Sequence, residues 1–333
     1  MLGYSNDFFG EEAEMSTILV PLDGSPTAEQ VLPHVRLLAT TLKARVKLLQ
    51  VVQESHDYPF TAPHEELLVG LSRGAAGLAH TQRMSAPEPE LRERAESYLG
   101  GVALRELQGL DVDPLVRFGS PAEMITATAE EHGATMIAMA THGYSGLRRW
   151  TLGSVTDKVV QASETPVFVV RATEQPPVAE PTLRRIMVTL DGSALARQAL
   201  PYACNLARKA ASELVVLTVS PMLSWSGAEL ISTVQEVEEE TARLQAALQD
   251  ELAPFAPALR EHHVKVVPVA TFGVSPAAVI IGEAEDRGVD LIVMASHGYS
   301  GLRRWALGSV TDKVLHGTST PLLVIRARSD QVA

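Results

Sequence analysis

Two stretches of the chain, ATHGYSGLRRWTLGS (140–154) and ASHGYSGLRRWALGS (295–309), carry glycine, serine and arginine at one spacing. Their chemistry is that of anion binding. Gly143, Gly146 and Gly153, with Gly298, Gly301 and Gly308 in the second copy, let backbone amides approach an anion without a Cβ in the way. Gly153-Ser154 and Gly308-Ser309 stand where a helix is expected to open, and a helix start adds free N–H groups and a positive dipole end. Ser154 and Ser309 bring hydroxyl donors, and Arg148 and Arg149 bring counter-charges. Each stretch therefore reads as a phosphate cradle. A plainer reading stands beside it: Ser154-Val155-Thr156-Asp157 resembles a capping box, with Asp where Glu is usual.

Other chemistries fail on detail. GYSGL is not a nucleophile elbow, because Gly-x-Ser-x-Gly needs glycine at Leu147. The chain has no P-loop, and LDGS (22–25) lacks the glycines of a dinucleotide fingerprint. His142 and His297 adjoin the cradle, but no Asp or Ser spacing completes a triad, so they read as loop histidines. His262-His263 lacks the partners a metal would need. Cys204, the only cysteine, falls on the apolar side of a helix and reads as a small buried residue. A single cysteine leaves no internal disulfide framework and fits a reducing cytoplasm.

The composition is 46% hydrophobic and 20% charged, with a net charge of −12. That is the profile of a globular chain, and the negative charge argues against a general grip on nucleic acid or anionic lipid. No apolar run approaches the ~18 residues of a membrane span. A cytoplasmic protein with neither nucleic-acid nor membrane partners is expected. Residues 1–14 differ in character from the remainder of the chain and read as a flexible extension.

The elements that must position the cradle come in two sets. ILVPLDGS (18–25) recurs as IMVTLDGS (186–193), and PVFVVRA (166–172) as PLLVIRA (321–327). The proline-rich stretch 173–182 reads as a linker between domains at 15–172 and 183–328, with a tail at 329–333. In the first domain, strands are expected at 18–22, 45–52, 113–119, 135–140 and 166–170. Helices are expected after Ser25, from about Leu91, from Pro121 and from Ser154. Pro33, matched by Pro201, should bend the first helix or begin its regular part. In the second domain a long charged helix is expected over about 228–252. Continuous apolar strands alternating with helices predict an α/β fold. It comprises two tandem open-sheet domains, each a five-stranded, mostly parallel sheet with helices on both faces. Asp23 and Asp191 end the first strand of each set, at the same sheet edge as the cradle.

With these residues in place, the chain resembles the universal stress proteins in their tandem, ATP-binding form. That family's signature is glycine, two residues, glycine, nine residues, glycine and then serine or threonine. Both copies match it except at the first glycine, which is Ala140 and Ala295 here. The resemblance implies an adenine-nucleotide alpha-hydrolase-like fold with one ATP per domain. In the first domain it implies a pocket of Pro21, Asp23, Val51, Ala140, Thr141, His142, Gly143, Gly146, Gly153, Ser154 and Val155. In the second it implies Thr189, Asp191, Val219, Ala295, Ser296, His297, Gly298, Gly301, Gly308, Ser309 and Val310. Asp23 and Asp191 would meet the nucleoside, and the backbone of Val51 and Val219 the adenine. Mg²⁺ would be held through the phosphates. The resemblance also implies pairing of the two last strands within the chain, and permits a homodimer of such tandems. Without a water-activating base or dedicated lysine, a binding protein is expected rather than an efficient enzyme. A slow ATPase or self-phosphorylating enzyme, and a nucleotide-free interaction module, are the alternatives.

Overall fold

The computed structural model describes residues 16–53, 88–141, 153–174, 179–221, 234–296 and 307–327. Aliphatic runs form β1 (Thr17–Pro21), β2 (Arg45–Val52), β3 (Val112–Phe118), β4 (Met136–Thr141) and β5 (Val167–Arg171). The second half repeats them as β6 (Arg185–Leu190), β7 (Glu213–Pro221), β8 (Val266–Gly273), β9 (Leu291–Ala295) and β10 (Leu322–Ile325). Consecutive residues of β1, β4, β6 and β9 are buried, as a sheet covered on both faces requires.

These strands make one sheet in the order β3-β2-β1-β4-β5-β10-β9-β6-β7-β8. Within each half all pairs are parallel. The halves join where β5 meets β10 antiparallel, with Val167, Phe168 and Val169 opposite Val324, Leu323 and Leu322. The pairing of the two last strands expected from the sequence is thus present. It removes one edge from each half-sheet. The remaining edges, β3 and β8, each carry a central proline, Pro114 opposite Leu48 and Pro268 opposite Val216. The ladder alternation turns each proline nitrogen outward. No sheet bond is lost, and the exposed edge is blunted against further strand addition.

Helices cover both faces. One core layer packs α2 (Leu32–Leu42) and α3 (Glu88–Glu106), with their counterparts α7 (Leu200–Ala210) and α8 (Val234–Leu252), on one side of the sheet. The other packs α4 (Pro121–Glu131), α5 (Ser154–Ala162), α10 (Pro276–Asp286) and α11 (Ser309–Gly317). Short helices α1 (Pro26–Glu29), α6 (Ala194–Arg197) and α9 (Ala256–Glu261) are the others among the described residues. Pro33 lies in the first turn of α2, so it begins the regular helix, and α1 ends before it. Helix α3 starts at Glu88, ahead of the apolar Leu91, because its first three residues are exposed and carry no periodic signal.

Cys204 is fully buried in α7, and burial pushes its thiol up to about 12. His34 in α2 is partly buried near the seam, its ring centroid 6.0 Å from that of Phe168. Desolvation lowers its pKa from 6.5, so the unfolded chain takes up this proton first as pH falls. Stability from this group is therefore complete above 6.5 and is lost as pH drops below it. Melting temperatures between about pH 7.5 and about pH 5.5 should fall more steeply for the natural chain than for His34→Gln.

Candidate functional site

In each half the chain runs β1, β2, β3 to one side and then returns to place β4 and β5 on the other. Strand order therefore reverses between β1 and β4, and again between β6 and β9. A crevice outside the C-terminal strand ends at such a point is where open α/β sheets bind ligands. The paired residues of β1 and β4 are only Ile18 with Met136 and Leu19 with Ile137, so the strand ends beyond them are not bonded to each other. Pro21 and Asp23 lie at one lip of this crevice, Ala140 and Thr141 at the other.

The first lip is a turn with fixed geometry. Asp23 Oδ1 accepts the Ser25 N–H at 2.9 Å, and Ser25 Oγ caps α1 by accepting from Ala28 N at 3.1 Å. Gly24 between them has φ +85°, a conformation suited to glycine. The second copy matches: Asp191 accepts from Ser193 N at 3.0 Å, Ser193 from Ala196 N at 3.0 Å, and Gly192 has φ +79°. The ordinary turn-forming use of Asp-Gly is realised, and it orients the carboxylate; at Asp23 this bond engages one of its two oxygens.

Backbone parity explains Val51. Leu49 O accepts from Leu22 N, while Val52 O accepts from Gly119 N. Val51 therefore turns its N–H and C=O to the β1 side, past Pro21, the last β1 residue in register. Val219 points its carbonyl to the β6 side in the same way, beyond Leu190. Thr189 is buried inside β6 opposite Leu217, and Pro21 is half-buried opposite Leu49.

The second lip leads into the helices. Ala140 and Ala295 lie in β4 and β9 and are not among the residues with positive φ, so alanine sits there without strain. Thr156 Oγ1 donates to Ala140 O at 3.4 Å, and Thr311 Oγ1 to Ala295 O at 2.9 Å, tying each helix start to its strand end. Ala172 N donates to Thr141 O at 3.2 Å, and Gly308 N to Ser296 O at 2.6 Å. Gly153 and Gly308 are the N-caps, and neither helix has a side-chain cap. The capping box is thus not formed: Ser154 and Ser309 are first helical residues, exposed, with no hydroxyl bond to another described residue. Val155 and Val310 pack on the second core layer. His142, Gly143, Gly146, Arg148 and Arg149, with His297, Gly298 and Gly301, lie outside the described residues.

Two features of the site carry no local signal in the sequence. At the mouth of the first crevice, Gln50 Oε1 is buried without a partner among the described residues; its counterpart Thr218 donates to Leu190 O at 2.8 Å. Beside the Asp turns, an ion pair is reversed between the copies. Glu29 on α1 meets Arg105 on α3 at 3.6 Å and accepts from Tyr98 OH at 2.9 Å. Arg197 on α6 meets Glu251 on α8 at 3.6 Å and donates to Gly192 O at 3.2 Å. Burial raises the Glu251 carboxyl above its ordinary range. Arg197→Glu alone should destabilise the chain, and adding Glu251→Arg should recover about 1 kcal/mol as coupling in a denaturant double-mutant cycle.

The architecture defines a tandem α/β protein with two equivalent switch-point crevices, each bordered by an Asp turn and a glycine-started helix. The model of the universal stress protein family matches residues 15–171 and again 182–326, and the chain belongs to that family, in two copies. A universal stress protein of Mycolicibacterium smegmatis is 29% identical over 276 residues, spanning 82% of this chain and 89% of that protein. The crystal structure of one from Archaeoglobus fulgidus, 21% identical, covers 94% of this chain and 99% of its own with a TM-score of 0.65. A universal stress protein solved in complex with cAMP is 16% identical and covers 48% of this chain and all (100%) of its own, TM-score 0.32. No described helix is long and apolar enough to cross a membrane.

Proposed function

We propose that the chain binds ATP, one molecule in each crevice, and serves as a nucleotide-dependent stress-response or signalling protein. The observation that carries this reading is the convergence at each switch point of two parts far apart in sequence. The Asp23 turn follows β1 and the start of α5 is tied to the end of its neighbour β4, and the Asp191 turn and the start of α11 stand in the same relation to β6 and β9. Phosphates would lie on the amides of Gly153, Ser154 and Val155, and of Ser309 and Val310 (the Gly308 N–H being held by Ser296 O), where the dipole and exposed hydroxyls favour an anion. The Val51 carbonyl and Gln50 Oε1, neither with a partner among the described residues, would supply acceptors for the donors of an adenosine moiety. Mg²⁺, as a hard cation that prefers phosphate oxygens and water, would be held through the nucleotide's phosphates.

The test is direct. Purified protein is denatured and the supernatant chromatographed for adenine nucleotides, then apo protein is titrated calorimetrically with ATP, cAMP and adenosine. ATP should bind more tightly than adenosine, because the helix starts act on phosphate alone. Binding of none of the three would leave the interaction-module reading. Steady phosphate release abolished by Ser154→Ala with Ser309→Ala would favour the ATPase.

A further inference from the structure

Outside the crevices, the clearest unassigned groups are two arginines at equal positions in the copies, Arg171 at the end of β5 and Arg326 just after β10. Each reaches across the seam into the other domain. Arg326 Nη1 donates to Gln161 O at 2.7 Å, and its Nε lies 3.2 Å from Glu164 Oε1. Arg171 Nη1 donates to His316 O and Thr318 O, each at 3.2 Å. The carbonyls belong to the C-terminal ends of α5 and α11, where a helix has unsatisfied acceptors and a negative dipole end.

These are the helices that begin at Ser154 and Ser309. Each spans nine residues, about 13 Å. One end therefore faces its own crevice while the other is held by an arginine of the opposite domain. The backbone beside each arginine leads back to the crevice of its own domain. Ala327 N donates to Ser296 Oγ at 3.1 Å, and Ser296 O accepts from Gly308 N, the N-cap of α11. On the reciprocal path, Ala172 N donates to Thr141 O at the end of β4.

We propose that each phosphate site is supported from the other domain, Arg326 being a positioning residue for the first crevice and Arg171 for the second. The proposal rests on the reading of the crevices as nucleotide sites. A guanidinium on the terminal carbonyls neutralises the negative end and fixes the helix along its axis. The amides at its start then meet the phosphates without reorganisation. The support is crossed, so a change in one domain is felt at the site of the other.

The experiment uses the full chain with one site silenced. In a Ser309→Asp background, where only the first crevice is open, ATP and adenosine are titrated calorimetrically with Arg326, Arg326→Gln and Arg326→Lys. Arg326→Gln should weaken ATP about three- to tenfold and change adenosine less than twofold; Arg326→Lys should restore most of the loss. Arg171→Gln in a Ser154→Asp background should do the same at the second crevice, which keeps the test available if one variant does not fold. Unchanged ATP affinity in both glutamine variants, or equal weakening of ATP and adenosine, overturns the crossed support. Absence of ATP binding by the unsubstituted chain overturns instead the nucleotide reading on which it stands.

Discussion

Replacing Ser154 and Ser309 together by Asp is expected to abolish ATP binding while leaving the fold at least as stable. Both serines are exposed first residues of nine-residue helices. A carboxylate there complements the helix dipole and should add about 0.3–1 kcal/mol of stability at each helix. Toward a phosphate the same charge is repulsive, by about 4 kcal/mol per unit-charge pair at 4 Å and an effective dielectric near 20. Even with substantial screening, affinity should fall more than about 100-fold. Calorimetry reads the loss, and the denaturant midpoint reads the stability. The opposite signs are diagnostic, because unfolding would lower both together.

Phe168→Ala should have the largest effect on stability. Phe168 is fully buried in β5 at the seam, opposite Leu323 of β10 and beside the ring of His34. Its truncation removes apolar area and leaves a cavity where the two half-sheets join, at a cost of about 3–5 kcal/mol. Both domains share the sheet, so urea unfolding should shift as a whole. A shift under about 1 kcal/mol would show that the seam collapses readily around the gap.

Much of this architecture was legible in the residues. The run at 45–52 has no proline or glycine, and its aliphatic residues made β2 legible despite Arg45, Lys47 and Gln50. Pro33 marked either a bend or the start of the regular helix, and the structure makes it the start of α2; the pairing of TPVFVVR with TPLLVIR was implied by the family resemblance and is formed at the seam. The substitution of alanine for the first signature glycine was resolved by strand geometry, because Ala140 and Ala295 need no positive φ.

What escaped depends on distance in sequence or on fine backbone angles. Glu29 and Arg105 meet only because α3 lies across α1, and nothing local marks the reversed pair at Arg197 and Glu251. Arg171 and Arg326 stood in repeated VVRA and VIRA, but their targets lie across the seam. The repetition itself was the available signal. Gly153 took the N-cap because its φ −59° and ψ 139° are those of a cap, which composition does not distinguish from Ser154 one residue later.

The central claim is that the two helix starts hold phosphate, and ATP stoichiometry tests it most directly. Calorimetric titration of nucleotide-free protein should give two ATP per chain, one after Ser154→Asp and none after Ser154→Asp with Ser309→Asp. No binding to the unsubstituted chain, or two sites retained in the double variant at undiminished affinity, would contradict the account.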